Sequence, residues 1–325
     1  RWNLVPANKK AYSDGKGSKP VQPIRFYLDN TFPEAWKEPI KKGVLLWNKA
    51  FEKIGYKDVL EVVDFPTDDP KSEMPTSNIW VNPANGEILN ASLFIYSNVG
   101  DLLHKWRFIG TSASDASVRS NELPANKFAE GLSYLVAREI GHTLGLLDNL
   151  GASWAYSVDN LRNAAFTQAN GLSASIMDDA HFNYVAQPQD KGVLLAPKDL
   201  GVYDYHAIEW NYRYFDPEKV SVESETKQLE ALVDQRVKNP AMRYYRTQSQ
   251  RWDPRVQEGS IGNDPIKAGN EGIKNLQIVE KNLYNWVNHF FGVLHRQSVL
   301  RAMQIKTSRN VDLCLLAIMI SYLSS

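Results

Sequence analysis

Residues Phe128 to Asp148, FAEGLSYLVAREIGHTLGLLD, constrain this chain more than any other stretch. Leu132, Leu135, Val136, Ile140, Leu144 and Leu147 recur at spacings of three and four, the period of a helix buried along one side. Pro124 lies near its start with Asn121 upstream as a candidate cap, and Gly145 offers a stop or a bend. One helix is therefore expected here, carrying Glu139 and His142 toward its C-terminal end and Asp148 just beyond Gly145.

That spacing belongs to metal-assisted hydrolysis. Two ligands four residues apart share a helix face, a Glu between them is placed to take a proton from metal-bound water, and a Gly lets the chain turn to deliver a third ligand. The run from Glu139 to Asp148 has every part except the first ligand, because the position four before His142 is Arg138. Arginine is permanently protonated, has donors and no free lone pair, and cannot bind zinc as a neutral imidazole does. His142 and Asp148 then supply two protein ligands, where a catalytic zinc has three plus water.

The 325 residues, of which 43% are hydrophobic, suffice for one large domain or two smaller ones around a sizeable core. Lys+Arg and Asp+Glu balance at 37 each, so net charge points to neither nucleic acid nor an anionic membrane. The one cysteine, Cys314, excludes an internal disulfide framework. Because the chain opens with Arg1, removal of an upstream segment such as a signal peptide is an expectation. The apolar tail Val311 to Leu323 is shorter than the roughly 20 residues a membrane span requires, and a buried terminal helix or strand is expected there.

Taken in order, Pro20 to Asp29 alternates as a strand does, and Asn30-Thr31 with Pro33 opens a helix running toward Gly55 that Pro39 could divide. Val59 to Phe65 and Asn78 to Asn82 read as short strands, and Gly86 to Tyr96 as a longer one after a Pro-Ala-Asn-Gly turn. Val99 to Asn121, rich in Ser, Ala and Asp, reads as a long connection. A short helix is expected over Asp159 to Gln168 ending at Asn170-Gly171, and another over Asp199 to Tyr214, behind a turn at Met177. Beyond Val220 the chain reads as helical, with Glu223 to Val237 and Ala268 to Met303 flanking an irregular Arg/Gln-rich stretch. A first domain over residues 1–218 and a helical C-terminal subdomain over 219–325 follow.

The segments GEILNASLFIYSN, REIGHTLGLLDNLGAS, YSVDNLR, SIMDDAHFNYVAQPQDKG and DLGVYDYHAIEWNY together resemble a bacterial family of large zinc-dependent metalloproteases of metzincin type. The resemblance covers roughly residues 1 to 280. It implies an α+β zincin fold, a mixed twisted sheet over the active-site helix, with Glu139 as general base, His142 as a zinc ligand, Asp148 at the third-ligand position and Met177 as the apolar floor of the Met-turn. It also implies a zinc cofactor, a peptide or protein substrate, and export in a Gram-negative bacterium. The chain departs from the family pattern at Arg138 in place of a ligand His, at Asp148 where His is usual, and at Asp179 where Tyr is common.

Three function classes stay open on these residues. An active peptidase needs a substitute ligand, for which His181, four residues after Met177, is the candidate; His206 is poorer, and His104, His289 and His295 have no motif around them. A lapsed peptidase needs none, if Arg138 replaces the metal charge and pairs with Asp148. A peptide-binding or scaffold module would use the strand Glu87 to Tyr96 as the edge of a cleft lined by Leu93, Phe94 and Asp179. The aromatic residues Trp154, Tyr156, Phe182, Tyr184, Tyr203 and Trp210 suit such a cleft and suit a core equally.

Overall fold

A computed structural model describes residues 1–64, 79–246 and 253–287. The apolar tail 311–323, Cys314, His289, His295 and the last part of the helix expected to run to Met303 lie outside the described residues. A first turn of helix, α1 (Lys9–Ser13), leads to strand β1 (Ile24–Leu28), helices α2 (Glu34–Leu45) and α3 (Asn48–Lys53), and strand β2 (Leu60–Asp64), which pairs parallel to β1. The strands β3 (Ile79–Val81) and β4 (Ile88–Ala91) form an antiparallel hairpin across the 83–86 turn, where Gly86 takes φ +70°. The molecule is α+β, with two small sheets among the described residues in place of the one mixed sheet expected.

The break between α2 and α3 falls at Leu46-Trp47 and not at Pro39. Pro39 sits in the middle of α2 without ending it, and its carbonyl accepts from Ser133 Oγ at 2.8 Å. Trp47 is fully buried and donates from Nε1 to the Ala137 carbonyl at 2.7 Å, so the break delivers an indole under the central helix. The strand expected from Gly86 to Tyr96 is shorter, since among the described residues only Ile88–Ala91 form it; Leu93, Phe94 and Ile95 follow as half-buried irregular chain.

The connection expected from Val99 to Asn121 is instead opened by helix α4 (Val99–Thr111). Val99, Leu103, Arg107 and Phe108 bury one face of it; the polar Ser/Ala/Asp run that suggested a loop belongs to its end and to the short turn after it. Next comes α5 (Ala125–Thr143), the predicted central helix, which packs most extensively on α2 and also on α4. It starts at Pro124 with no side-chain cap, so Asn121 plays no capping part.

After the site turn come α6 (Val158–Leu161) and α7 (Ala164–Asn170), two pieces where one helix was expected, ended by Gly171 at φ +74°. Further on are α8 (Val202–Tyr212), α9 (Val222–Arg236) and α10 (Pro265–Val287). The main core gathers Trp47, Phe51, Tyr56, Leu132, Ile140, Leu144, Met177 and Ile208. A second core, with Tyr156, Phe182, Tyr184, Ile261 and Ala268, lies under the segment after the site, and α10 closes on α4 through Phe108, Val279 and Leu283. Tyr156, Phe182 and Tyr184 are therefore core residues, while Trp210 stays exposed.

Candidate active site

The central helix ends where the Gly145 signal placed its end. Gly145 takes φ +86°, its N–H reaches the His142 carbonyl at 2.8 Å, and the Leu146 N–H reaches the Gly141 carbonyl at 3.0 Å, the paired bonds of a Schellman stop. The remaining terminal carbonyls are taken by side chains from distant parts of the chain: Thr143 by Trp2 Nε1 at 2.8 Å and Leu144 by the Tyr212 hydroxyl at 2.8 Å. Leu147, read as the last residue of the buried stripe, lies past the stop and is 68% exposed. The reversal turns Asp148 back toward the helix.

Arg138, His142 and Asp148 meet there. Arg138 Nη2 donates to Asp148 Oδ1 at 2.5 Å, while Nη1 lies 3.3 Å from Glu139 Oε1 and 3.4 Å from His142 Nε2. The Arg138 side chain is 15% exposed, and Asp148 and Glu139 are more open. His142 Nδ1 faces the Leu146 carbonyl at 3.0 Å, which places the proton on Nδ1 and turns Nε2 inward, the orientation an imidazole ligand adopts toward a metal. What Nε2 meets is the guanidinium and, at 3.4 Å, Asp148.

The charges answer to this geometry. Burial works against a protonated His142, but the Asp148 carboxylate and the Leu146 carbonyl outweigh it and hold its pKa above the ordinary value. Asp148 is held below the usual carboxylate range by the hydrogen bond to His142 and by the nearby Arg138 charge.

Beneath α5 lies the Met177 turn. Met177 is fully buried, and a Cβ added at Gly141 would stand 2.3 Å from its Sδ and 2.7 Å from Trp47, so the helix rests directly on the thioether and the indole. Its carbonyl accepts from Asn149 N–H at 2.9 Å, fixing the turn to the residue after Asp148. Behind it, the fully buried Asp204 of α8 accepts from Ser175 Oγ at 2.6 Å, Ile176 N–H at 2.8 Å and Gly201 N–H at 2.6 Å. Asp178 is likewise buried and accepts from Ser153 N–H and Ser173 Oγ, each at 2.7 Å.

His181 is turned to a different partner. Its Nε2 lies 2.6 Å from Asp179 Oδ1, and its ring stacks on Trp106 at 3.9 Å between centroids with Tyr134 edge-on at 5.7 Å. Burial opposes the charge on Asp179, yet His181 and Arg138 hold its pKa below the ordinary value. His206 is buried on α8 beside Tyr203, and His104 faces the Ser120 carbonyl at 2.7 Å. Among the described residues no group of three or more His, Cys, Asp or Glu side chains is placed to hold a metal ion. The donor set does not fit zinc: one imidazole and one carboxylate face a guanidinium where a third donor belongs.

Several residues at the site had no sequence signal or a masked one. Tyr134, whose hydroxyl donates to the Asp178 carbonyl at 3.2 Å, precedes Arg138 by one helical turn, so spacing alone could have found it. Trp106 lies in the stretch read as a connection, and nothing local in the sequence marks Asp178 or Asp204 as buried.

A family model described as Met-zincin matches residues 120–318. No curated protein and no solved structure matches the chain.

Proposed function

Because the chain belongs to the Met-zincin family, we propose that it is a metzincin-type peptidase domain whose cleft takes a peptide and whose hydrolytic step is impaired or lost. Glu139, His142, Asp148 and Met177 are, on this reading, retained parts of the peptidase site. The observation that carries it is Arg138, whose guanidinium occupies the first-ligand position and is engaged by Asp148 at 2.5 Å. Peptide hydrolysis by this class of site needs an acidified water and a Lewis acid on the carbonyl. A guanidinium offers no lone pair to a cation, and Glu139 is left as a half-exposed base with no activated water to deprotonate.

Peptide binding makes no such demand. The β3–β4 hairpin exposes Ile79, Trp80, Val81 and Leu89, and in this reading it is the edge of a cleft whose other residues are Leu93, Phe94 and Asp179. The alternative with His181 as substitute ligand has less in its favour, since Asp179 already takes its Nε2. No helix among the described residues is long and apolar enough to cross a membrane. Export from a Gram-negative cytoplasm is proposed on the family resemblance alone.

The test is elemental analysis of protein purified without chelator, beside a peptide-hydrolysis assay. We expect zinc well below one per chain and no turnover. Zinc at one per chain, with cleavage abolished in Glu139→Gln, would overturn the proposal.

A further inference from the structure

We infer that the Arg138 guanidinium does the cross-linking work of a metal ion at this site, fastening Asp148 back onto the helix that carries Glu139 and His142. The inference rests on the zinc-free reading above and adds to it a structural duty for one side chain.

A metal held by ligands on both sides of the Gly145 turn would close that turn covalently in all but name. Here the same gap is closed by an arm anchored one helical turn before His142, on the same face. The fork reaches three groups at once: Nη2 to Asp148 at 2.5 Å, and Nη1 at 3.3 Å from Glu139 and 3.4 Å from His142. All three belong to the predicted metal-site motif, and a planar fork holds its donors in fixed directions as an ion holds its ligands. Asp148 neighbours Asn149, whose N–H binds the Met177 carbonyl, so the arm ties α5 to the Met177 turn as well as to the Gly145 turn.

Leu146 is buried in the main core and Asn149 is fully buried, so what the arm fixes is the Leu147-Asp148 step between them, where Leu147 is exposed. The Arg138 end of the pair is 15% exposed and the Asp148 end 36%, so D148N leaves a largely shielded guanidinium without its carboxylate, while R138M leaves a partly solvated carboxylate. A lysine, a flexible point charge, would satisfy one of the three contacts at a time. The chain should therefore stay closed without any metal, indifferent to chelator.

The experiment is a double-substitution cycle, R138M, D148N and both together, followed by urea unfolding with and without EDTA. The wild-type midpoint is expected to be unmoved by EDTA or by added zinc. Each single change should lower it, and the double variant should lose less than the sum, with a coupling of roughly tenfold in the unfolding constant. If R138M does not fold, R138K replaces it and is expected to retain part of the coupling. In R138H, which removes the arm and supplies an imidazole, zinc should raise the midpoint. Strictly additive losses in a zinc-free protein would overturn this inference and leave the proposed function standing. A wild-type midpoint lowered by EDTA would overturn both.

Discussion

Gly141 within the central helix and Gly145 just past its end do opposite jobs. Gly145 stands at φ +86° with only Ile88 Cδ1 near its absent Cβ, at 3.6 Å, so its need is conformational. Gly145→Ala is expected to cost about 1 kcal/mol, read as a lower urea midpoint, by forcing a side chain into the left-handed region. Gly141 is ordinary helix, and there alanine would gain up to about 1 kcal/mol of helix propensity. Its Cβ would however stand 2.3 Å from Met177 Sδ and 2.7 Å from Trp47, and overpacking of this kind costs about 1–3 kcal/mol. Overpacking is the larger effect, so Gly141→Ala should lower the midpoint too. The first glycine was legible in the sequence because a helix stop is local. The second was not, because its neighbours lie at positions 47 and 177.

At the scale of elements, α8 is tied to the Met177 turn by one buried carboxylate. Asp204 binds the Gly201 N–H at the start of its own helix and reaches Ser175 and Ile176 across the gap. Burial, opposed by these three donors, pushes its pKa up to about 7. The native state then keeps a proton that the unfolded chain releases above about pH 4. Stability contributed here is present at low pH, falls as pH rises from about 4 to about 7, and is level beyond that. A pKa difference of about 3 sets an upper figure of ~4 kcal/mol for that fall. Asp204→Asn, neutral throughout, should be less stable than wild type at pH 5 for want of one acceptor. The gap should narrow by pH 8, and unfolding free energies at both values would check it. A helix behind the turn was readable from its apolar spacing, whereas the carboxylate joining the two was hidden, since nothing local distinguishes a buried Asp from a solvated one.

For the molecule as a whole, the decisive packing is between parts far apart in sequence. Residues 1–7 reach the end of α5 through Trp2, and α10 closes on α4 through Phe108, Val279 and Leu283. Since Phe108 sits at that junction, Phe108→Ala is expected to cost about 3–5 kcal/mol. Amide exchange in α10 should quicken together with that in α4; quickening confined to α4 would mean that the two do not unfold as one body. In the Val99–Thr111 helix the polar run at its end masks the apolar face before it, so the sequence there reads as a connection. Among the described residues the pairing after Gly86 ends at Ala91, opposite Ile79, and Leu93 to Ile95 run on as irregular chain.

The sequence by itself determined the central helix, its glycine stop, the methionine turn behind it and the arginine four residues before His142. Each of these is written in spacing or in the chemistry of a single side chain. Only the tertiary structure decided where the guanidinium goes, that His181 belongs to Asp179 and Trp106, and which carboxylates are buried. Those outcomes depend on which residues the folded chain brings into contact, and burial and charge pairing are properties of that encounter rather than of any stretch of chain.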